Sequence, residues 1–297
     1  MSEHSRRDFL KGTVAAGVVA GHPRFAQAAT RRSATDWVTL GNSGVKVTRL
    51  AFGTGTFGGR LPRDLGQERF TRLVRHAYDR GIRFFESADA YSGMHEMLAI
   101  ALRGIPRDSY RLMTKYRLRE TADPKATIDR FRKELESEYF DIMLLHCVRA
   151  PDWAEQYERL RDALSEAKDR QVIRAHGASC HGLLPLRAFP ANTSWLDVAL
   201  LRVNHHGTRM DTLKQRDTDD LGDVNEVVGH IKQIHAKGTG VIGMKIMGEG
   251  QFKTPEQRDA SIRFVTGLGT VDAMTIGYKS EAEIDEAIER LDTHLNA

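Results

Sequence analysis

Short apolar runs alternate with longer amphipathic segments from residue 50 to the C-terminus. Apolar runs bounded by turn residues are typical of buried strands, and apolar residues spaced three or four apart are typical of helices. The predicted strands are Leu50–Gly53, Phe84–Ala88, Arg111–Thr114, Ile142–His146, Ala175–Ser179, Val198–Val203, Gly240–Met244 and Ala273–Ile276.

The segments between these runs predict helices, with one exception. Residues 181–195, between the fifth and sixth strands, are the least regular, and no helix is predicted there. Upstream, "WVTLGNSGVKV" (residues 37–47) alternates around a Gly-Asn-Ser-Gly turn and predicts a β-hairpin. The predicted helices are Glu68–Arg80, His95–Leu102, Lys125–Tyr139, Ala154–Arg170, Asn225–Lys237, Thr254–Leu268 and Glu281–Leu295.

This alternation predicts an α/β fold with a parallel sheet, because each return to a parallel strand needs a crossover helix. Eight strands are the number that closes a TIM barrel. The alternative is an open doubly wound sheet, but no Gly-x-Gly-x-x-Gly follows the first strand. We therefore predict a (β/α)8 TIM barrel with a short N-terminal β-hairpin over residues 37–297.

A basic and then apolar segment precedes the barrel. Arg6 and Arg7 come just before the apolar run Thr13–Gly21. This arrangement is typical of a cleavable export signal, and the paired arginines indicate the twin-arginine type, with a frayed basic terminus as the alternative. We predict a twin-arginine signal peptide over residues 1–28, a linker over 29–36, and a periplasmic protein that uses the twin-arginine export machinery as a partner.

Composition narrows the classes of function. The formal charge of +4 falls to about +2 without the leader, and the mature part contains no dense basic stripe. We therefore expect no nucleic-acid partner. No apolar run approaches membrane length, so no stable membrane anchor is expected. We also favour a monomer over an oligomer. Cys147 and Cys180 are too few for a disulfide scaffold or a four-thiolate iron–sulfur cluster.

Polar side chains follow the predicted strands, where the chemistry of such barrels gathers. Glu86 and Tyr91 follow the second strand, Lys115 ends the third and His146 ends the fourth. An ammonium about 4 Å from a phenol stabilises the phenolate by about 4 kcal/mol at an effective dielectric near 20. Lys115 would thus lower the pKa of Tyr91 from its ordinary value near 10 toward the range of a general acid.

The other two side chains complete a carbonyl-reducing set. Glu86 would keep Lys115 charged, and His146 would orient a carbonyl oxygen. Such a set protonates a developing alkoxide while a hydride arrives at carbon. Because a protein has no hydride of its own, a nicotinamide cofactor is implied.

The stretches "FFESADAY", "LMTKY", "DIMLLHC", "IRAHGAS" and "IGYKSEAEIDEAI" resemble the aldo-keto reductase superfamily. Tyr91, Lys115 and His146 match the family's tyrosine, lysine and histidine, while Glu86 stands where the family has aspartate. "KGTGVIGMKIMGEG" and "RVNHHG" resemble an exported branch with iron–sulfur members, whose cysteine cluster this chain lacks. The resemblance implies a small-molecule carbonyl substrate, an aldehyde or a ketone, interconverted with an alcohol.

The resemblance also implies the cofactor site, at Ser179, Asn204, Lys245, Lys279 and Ser280. A lysine at position 279 would favour NADP over NAD, because its point charge suits the extra phosphate. Several family contacts have changed, however. Cys180 follows Ser179 where the family has asparagine, and the positions of a glutamine, a stacking aromatic and a late asparagine hold Leu200, Met244 and Ala287.

Four alternatives remain open from the sequence. The first is a metal-dependent hydrolase with metal ligands at the strand ends. The candidate ligands are His146, Cys147, Cys180, His181, His205 and His206. Against it, a strand can rarely present two adjacent side chains to the same face. The preferred interpretation, a nicotinamide-dependent oxidoreductase, includes no metal ion. The chain could instead be a binding protein that keeps the fold without turnover. Cys147 and Cys180 could form a disulfide or stay separate thiols. Asp89 could replace Glu86 beside Lys115, although a role at the start of a helix is favoured for it.

Overall fold

The strands of the protein form two sheets. The computed structural model describes residues 31–118, 123–214 and 219–297. Two antiparallel strands form a hairpin, and eight parallel strands close into a barrel in which the last strand lies beside the first. The strands are β1 (Trp37–Thr39), β2 (Lys46–Thr48), β3 (Leu50–Gly53), β4 (Phe84–Glu86), β5 (Arg111–Arg117), β6 (Phe140–Val148), β7 (Ile173–Cys180), β8 (Val198–Arg202), β9 (Gly240–Met244) and β10 (Ala273–Ile276).

The barrel and hairpin predictions are confirmed, and the open doubly wound alternative is wrong. The chain divides after Arg31, and the barrel unit is Arg32–Ala297. The predicted signal peptide, residues 1–28, lies outside the described residues. Within the described ranges, no helix combines the length and the apolar character that crossing a membrane requires.

Helices cover the outside of the barrel in the described ranges. Many begin at a side-chain cap: Asp123, Asp223, Thr254 and Ser280 each accept a hydrogen bond from the first turn of the helix that follows. The helices are α1 (Arg60–Asp64), α2 (Gly66–Asp79), α3 (Met94–Leu102), α4 (Pro124–Glu134), α5 (Trp153–Gln156), α6 (Glu158–Asp169), α7 (Leu183–Ala188), α8 (Val224–Ala236), α9 (Pro255–Gly267) and α10 (Glu281–Leu295).

Three helix predictions need correction. The helix expected over Ala154–Arg170 is interrupted at Tyr157, which leaves helical geometry between α5 and α6. The helix expected to reach Tyr139 ends at Glu134, because Glu136 takes a left-handed φ of 47°. No helix was predicted over residues 181–195, but this segment contains α7 and a 3₁₀ turn over Phe189–Ala191.

The hairpin closes the amino-terminal end of the barrel. Leu40 and Val47 are fully buried, and they belong to the same apolar cluster as Phe84, Met113 and Ile142 of the barrel strands. A second, larger cluster fills the space between the strands and the helices. Because the hairpin covers one end, the carboxyl ends of the strands are the side that stays open for a ligand.

A buried carboxylate joins three strands near that closed end. Asp141, at the start of β6, is 0 % exposed. Its Oδ2 accepts hydrogen bonds from the backbone N–H of Leu112 at 2.9 Å and from Nη2 of Arg107 at 2.9 Å, and its Oδ1 accepts one from Nη1 of Arg174 at 2.8 Å. β5, β6 and β7 are thus tied together by charge-assisted hydrogen bonds.

Asp141→Ala should destabilise the barrel strongly. The substitution leaves the Leu112 N–H and two guanidinium groups without their acceptor, so the free energy of unfolding should fall by about 3 kcal/mol in urea denaturation. The control is Glu138→Ala, because Glu138 pairs with Arg132 while its side chain is 91 % exposed. The control should unfold almost like the wild type. Equal losses in both variants would contradict a special role for Asp141.

Candidate active site

A cavity of about 580 Å³ opens at the carboxyl ends of the barrel strands. This volume lies within the usual range of small-molecule sites. All four predicted catalytic residues line the cavity, which brings together side chains from β4, β5, β6 and the loop after β4: Glu86, Tyr91, Lys115 and His146.

Glu86 and Lys115 form a buried ion pair in the wall of this cavity. The Lys115 ammonium, 2 % exposed, contacts Glu86 Oε1 and donates to the carbonyl of Ser87 at 2.9 Å. Glu86 Oε2 accepts the backbone N–H of Thr54 at 3.2 Å. Burial lowers the pKa of Lys115, and the Glu86 carboxylate opposes that shift. The carboxylate therefore stabilises the charged ammonium inside the barrel.

Asp89, the alternative partner for Lys115, is engaged elsewhere. Its Oδ1 accepts a hydrogen bond from Nη2 of Arg130 at 2.8 Å. It does not cap a helix either, because α3 begins after Gly93. Glu86 is thus the carboxylate that pairs with Lys115.

Tyr91 lies against both Lys115 and His146. The Lys115 Nζ is 4.8 Å from the centroid of the Tyr91 ring. The ring centroids of Tyr91 and His146 are 5.4 Å apart, with an edge-to-face angle of 86°. The hydroxyl of Tyr91 lies beside Gly55, where a Cβ would approach it to 2.5 Å. The absence of a side chain at position 55 therefore makes room for the phenol.

The pKa of Tyr91 shifts in the opposite direction from the one expected. Burial raises it well above its ordinary value, and the negative charges of Glu86, Cys147 and Glu249 raise it further. The expected lowering by Lys115 is wrong for this state of the protein, because the ammonium lies over the ring face and is paired with Glu86. The phenol consequently stays protonated at neutral pH.

His146 is a neutral imidazole that faces the cavity. Its side chain is 8 % exposed, and no hydrogen bond joins its ring nitrogens to another residue within the described ranges. Burial lowers its pKa well below the ordinary value, and the charges of Lys115 and His181 lower it further. A neutral imidazole can donate one hydrogen bond and accept another, so it can meet a polar ligand in the cavity.

Cys147 lines the same cavity beside His146, contrary to the expectation for adjacent strand residues. The register of β6 against β7 shifts between Leu145 and Val148, which marks a β-bulge. Cys147 takes a left-handed φ of 67°, and its backbone N–H donates to Ser179 Oγ at 2.8 Å. A bulge redirects side chains. This one presents both His146 and Cys147 to the cavity.

Two of the five expected cofactor residues line the cavity, Lys245 and Lys279. The Lys245 ammonium lies 2.6 Å from Glu249 Oε1, and both residues take left-handed φ angles, 60° and 55°. Lys279 Nζ lies 3.5 Å from Glu283 Oε1, and its side chain is 65 % exposed. Each lysine therefore has a carboxylate beside it in the cavity wall.

The structure does not bring the other three, Ser179, Asn204 and Ser280, into the cavity lining. Ser179 is fully buried and supports the bulge at Cys147. Asn204 is also fully buried; its amide donates to two loop carbonyls and its oxygen accepts two loop N–H groups. Ser280 caps α10 by accepting the N–H of Glu283 at 3.3 Å. In this arrangement all three organise the backbone around the site.

The cavity has features that suit a nicotinamide dinucleotide. Its lining includes Tyr91 at the strand ends and Ala287 of α10. Lys253 and Arg258, at the start of α9, add positive charge suited to phosphate, and Arg258 is paired with Glu286. Tyr278 contributes a buried hydroxyl that has no hydrogen-bond partner among the described residues. Three of the positions at which the sequence departs from the pattern it resembles also line the cavity: Leu200, Met244 and Ala287. Each offers an apolar side chain to a ligand.

The residues proposed for a metal do not converge. Within residues 31–118, 123–214 and 219–297, no group of three or more His, Cys, Asp or Glu side chains could hold a metal ion. His181 Nδ1 instead contacts the guanidinium of Arg202, and His206 Nδ1 lies 2.7 Å from Thr208 Oγ1. Neither cysteine is in a disulfide. The geometry thus gives no support to the hydrolase alternative or to the disulfide.

Sequence reasoning assigned no role to Phe57 and Glu249, which both line the cavity. Both are non-glycine residues with left-handed φ angles, 52° and 55°. They occur inside the glycine-rich stretches "GTGTFGG" and "MGEGQ". A bulky residue flanked by glycines is the one signal that could have identified them, because the glycines permit the turns that point these side chains inward.

Gly55→Ala should disrupt Tyr91 without damaging the fold. The added methyl would meet the Tyr91 hydroxyl, so we expect the carbonyl turnover predicted from the sequence to fall by about a hundredfold. The control is Gly229→Ala in α8, where a Cβ would meet nothing within 4 Å. It should keep full turnover and be slightly more stable in thermal unfolding. Wild-type turnover in Gly55→Ala would contradict the placement of Tyr91.

Comparisons with known proteins agree with this geometry. The sequence model described as "Aldo/keto reductase family" matches residues 49–294. "Probable aldo-keto reductase 1" of Glycine max is 27 % identical over 163 residues, which are 47 % of this chain and 47 % of that protein. L-galactose dehydrogenase of Arabidopsis thaliana is 28 % identical over 228 residues, which are 71 % of this chain and 65 % of that protein. The chain therefore spans about half to two thirds of the length of these curated relatives.

A solved structure extends the likeness to the whole barrel. The holo form of aldo-keto reductase AKR11C1 from Bacillus halodurans superposes with a TM-score of 0.68 at 16 % identity, covering 88 % of this chain and 95 % of that one. At this identity the likeness shows a shared fold. Together with the family match over most of the barrel, it leads to one conclusion: the chain belongs to the aldo/keto reductase family.

Proposed function

We propose that this protein is an oxidoreductase that interconverts a carbonyl compound, an aldehyde or a ketone, and the corresponding alcohol, with a nicotinamide dinucleotide as cofactor and NADP favoured over NAD. One observation carries the proposal. Tyr91, Lys115 and His146 converge on one cavity, whose lining also carries cationic side chains suited to phosphate. Family membership supports the same reaction class.

In this proposal Tyr91 is the proton donor. The bound dinucleotide supplies the hydride, and the protein supplies the proton that the developing alkoxide requires. Burial keeps the phenol protonated at neutral pH, because it raises the pKa of Tyr91. The Tyr91 phenol therefore already carries its proton when a substrate binds.

Lys115 and Glu86 assist when the proton leaves. The phenolate that forms is negative, and the Lys115 ammonium lies 4.8 Å from the centre of its ring. Attraction between these charges is strong where water is excluded. Glu86 holds the ammonium in place and charged, although its own negative charge reduces the assistance.

His146 orients the substrate. Its imidazole is neutral, faces the cavity and makes an edge contact with Tyr91. A neutral ring N–H can donate to the carbonyl oxygen that also receives the proton of Tyr91. Two donors directed at one oxygen position the carbonyl carbon for attack.

The phosphates of the dinucleotide would be held by cationic side chains that line the cavity. These are Lys245, Lys253, Arg258 and Lys279. Lys279 carries the proposed preference for NADP, since a ribose phosphate near its exposed ammonium would gain a charge contact that NAD lacks. The contact competes with Glu283, which lies beside the same ammonium.

Tyr91→Phe should abolish carbonyl turnover while nucleotide affinity stays nearly unchanged. The proton donor is lost, so kcat with NADPH and an aromatic aldehyde should fall by at least about a hundredfold. In the wild type, burial raises the pKa of Tyr91 and keeps the phenol protonated, so kcat/KM for reduction should stay level from about pH 7 to 9. Steady-state kinetics across pH and fluorescence titration with NADPH measure both quantities.

The control for this variant is Tyr139→Phe, because Tyr139 packs against Arg107 and Arg174, outside the cavity lining. It should behave as the wild type does. Unchanged turnover in Tyr91→Phe, or an alkaline loss below about pH 9 in the wild type, would refute the assigned role. Nucleotide binding with no turnover of any carbonyl would favour the binding-protein alternative.

Lys279→Ala should weaken NADPH binding selectively. Removing an exposed charge near the ribose phosphate should raise the Kd for NADPH by about threefold and leave the Kd for NADH unchanged. Glu283→Gln should act in the opposite direction, because it removes the carboxylate that competes for Lys279. The measurement is fluorescence titration at low ionic strength, where exposed charges are least screened.

The matched control is Lys232→Ala, which removes an exposed lysine from α8, away from the cavity. It should leave both affinities as they are. Equal weakening of NADPH and NADH in Lys279→Ala would contradict the proposed NADP preference without contradicting nucleotide binding.

A further inference from the structure

We propose that Cys147 is a covalent attachment site for α,β-unsaturated carbonyl compounds that enter the cavity. This reaction is separate from hydride transfer and does not require the proposed cofactor. It needs an accessible sulfur, an environment that favours the thiolate, and a cavity that admits the electrophile. The structure supplies observations on each of these points.

Access comes from the β-bulge. Without it, the side chain that follows His146 would point to the opposite face of the strand. The bulge and the left-handed φ of 67° place Cys147 in the cavity lining, and its side chain is part-exposed. A molecule that reaches His146 therefore also reaches the Cys147 sulfur.

Two cationic side chains act on this sulfur. Arg149 Nη2 donates to Cys147 Sγ at 3.6 Å. Lys115 is close enough for the thiolate charge of Cys147 to raise the pKa of its ammonium. Cations beside a partly exposed cysteine stabilise the thiolate, which is the nucleophilic form.

A second group indicates that the cavity receives a polar ligand at this point. The His146 imidazole is more than nine-tenths buried, yet no residue within the described ranges forms a hydrogen bond with it. Its ring faces the cavity next to Cys147. The ring nitrogens are open to the cavity, so a polar ligand there can form hydrogen bonds with them. A carbonyl oxygen held there would place the adjoining C=C bond near the sulfur.

The proposed step is a conjugate addition. The Cys147 sulfur forms a bond to the β-carbon, while the π electrons of the C=C bond move to the carbonyl oxygen as an enolate. The α-carbon then takes a proton from water, and the proton of the original thiol returns to water. The net reaction adds S–H across C=C, so no atom is lost and no oxidant or reductant is consumed.

Cys180 provides an internal control. It is 0 % exposed, donates through Sγ to the carbonyl of Gly182 at 3.3 Å, and does not line the cavity. Burial raises the pKa of this thiol well above its ordinary value. The two cysteines of the chain thus differ in both access and charge environment.

The experiment treats the folded protein with cyclohex-2-enone and follows intact mass and peptide maps over time. We expect a single adduct on Cys147, forming at least about tenfold faster than the adduct of glutathione at the same pH. Cys180→Ser should react like the wild type, and Cys147→Ser should gain no adduct. Circular dichroism of both variants verifies that they are folded.

Three results would overturn the proposal. These are alkylation of Cys147 no faster than that of glutathione, a first adduct on Cys180 in the wild type, and labelling of Cys147→Ser equal to that of the wild type. The first two are read from wild-type protein, so they decide the question even if a variant fails to fold. Nucleotide titration of the untreated protein tests the proposed oxidoreductase function independently.

Discussion

The site depends on one interaction, the ion pair of Glu86 and Lys115 inside the barrel wall. Both side chains are almost fully buried, and burial alone would drive the lysine toward its neutral form. The carboxylate offsets this effect and is itself held by the N–H of Thr54. Because the carboxylate favours the charged form of Lys115, the pair places two opposite charges beside Tyr91 and His146.

Burial is the main reason why the neighbouring titratable groups are neutral, and the pair adds to its effect. Burial raises the pKa of Tyr91, and Glu86 raises it further; burial lowers the pKa of His146, and Lys115 lowers it further. The phenol and the imidazole therefore both keep a hydrogen-bond donor at neutral pH. An aspartate at position 86 would have a shorter reach, so the longer glutamate side chain is part of how this barrel brings its carboxylate to the lysine.

The barrel was predictable because its signals are local. Apolar runs gave β3, β9 and β10 with the observed bounds, and the strand ends identified Tyr91, Lys115 and His146 as residues of one site. The bulge at Cys147 was not predictable, since it rests on a hydrogen bond from its N–H to a serine on the next strand. The backbone roles of Asn204 and Ser179 were missed for the same reason: their partners lie far away in the sequence or on loops without a pattern.

The hairpin that seals the amino-terminal end of the barrel has a consequence for solvent. Leu40 and Val47 are fully buried in an apolar cluster at that end, so the mouth at the carboxyl ends of the strands is the open side of the cavity. A ligand bound in that mouth would remove water from charged side chains that folding has already partly buried. The field between ammonium, carboxylate and phenol then strengthens as the local dielectric falls, at the moment when the occupant is in place.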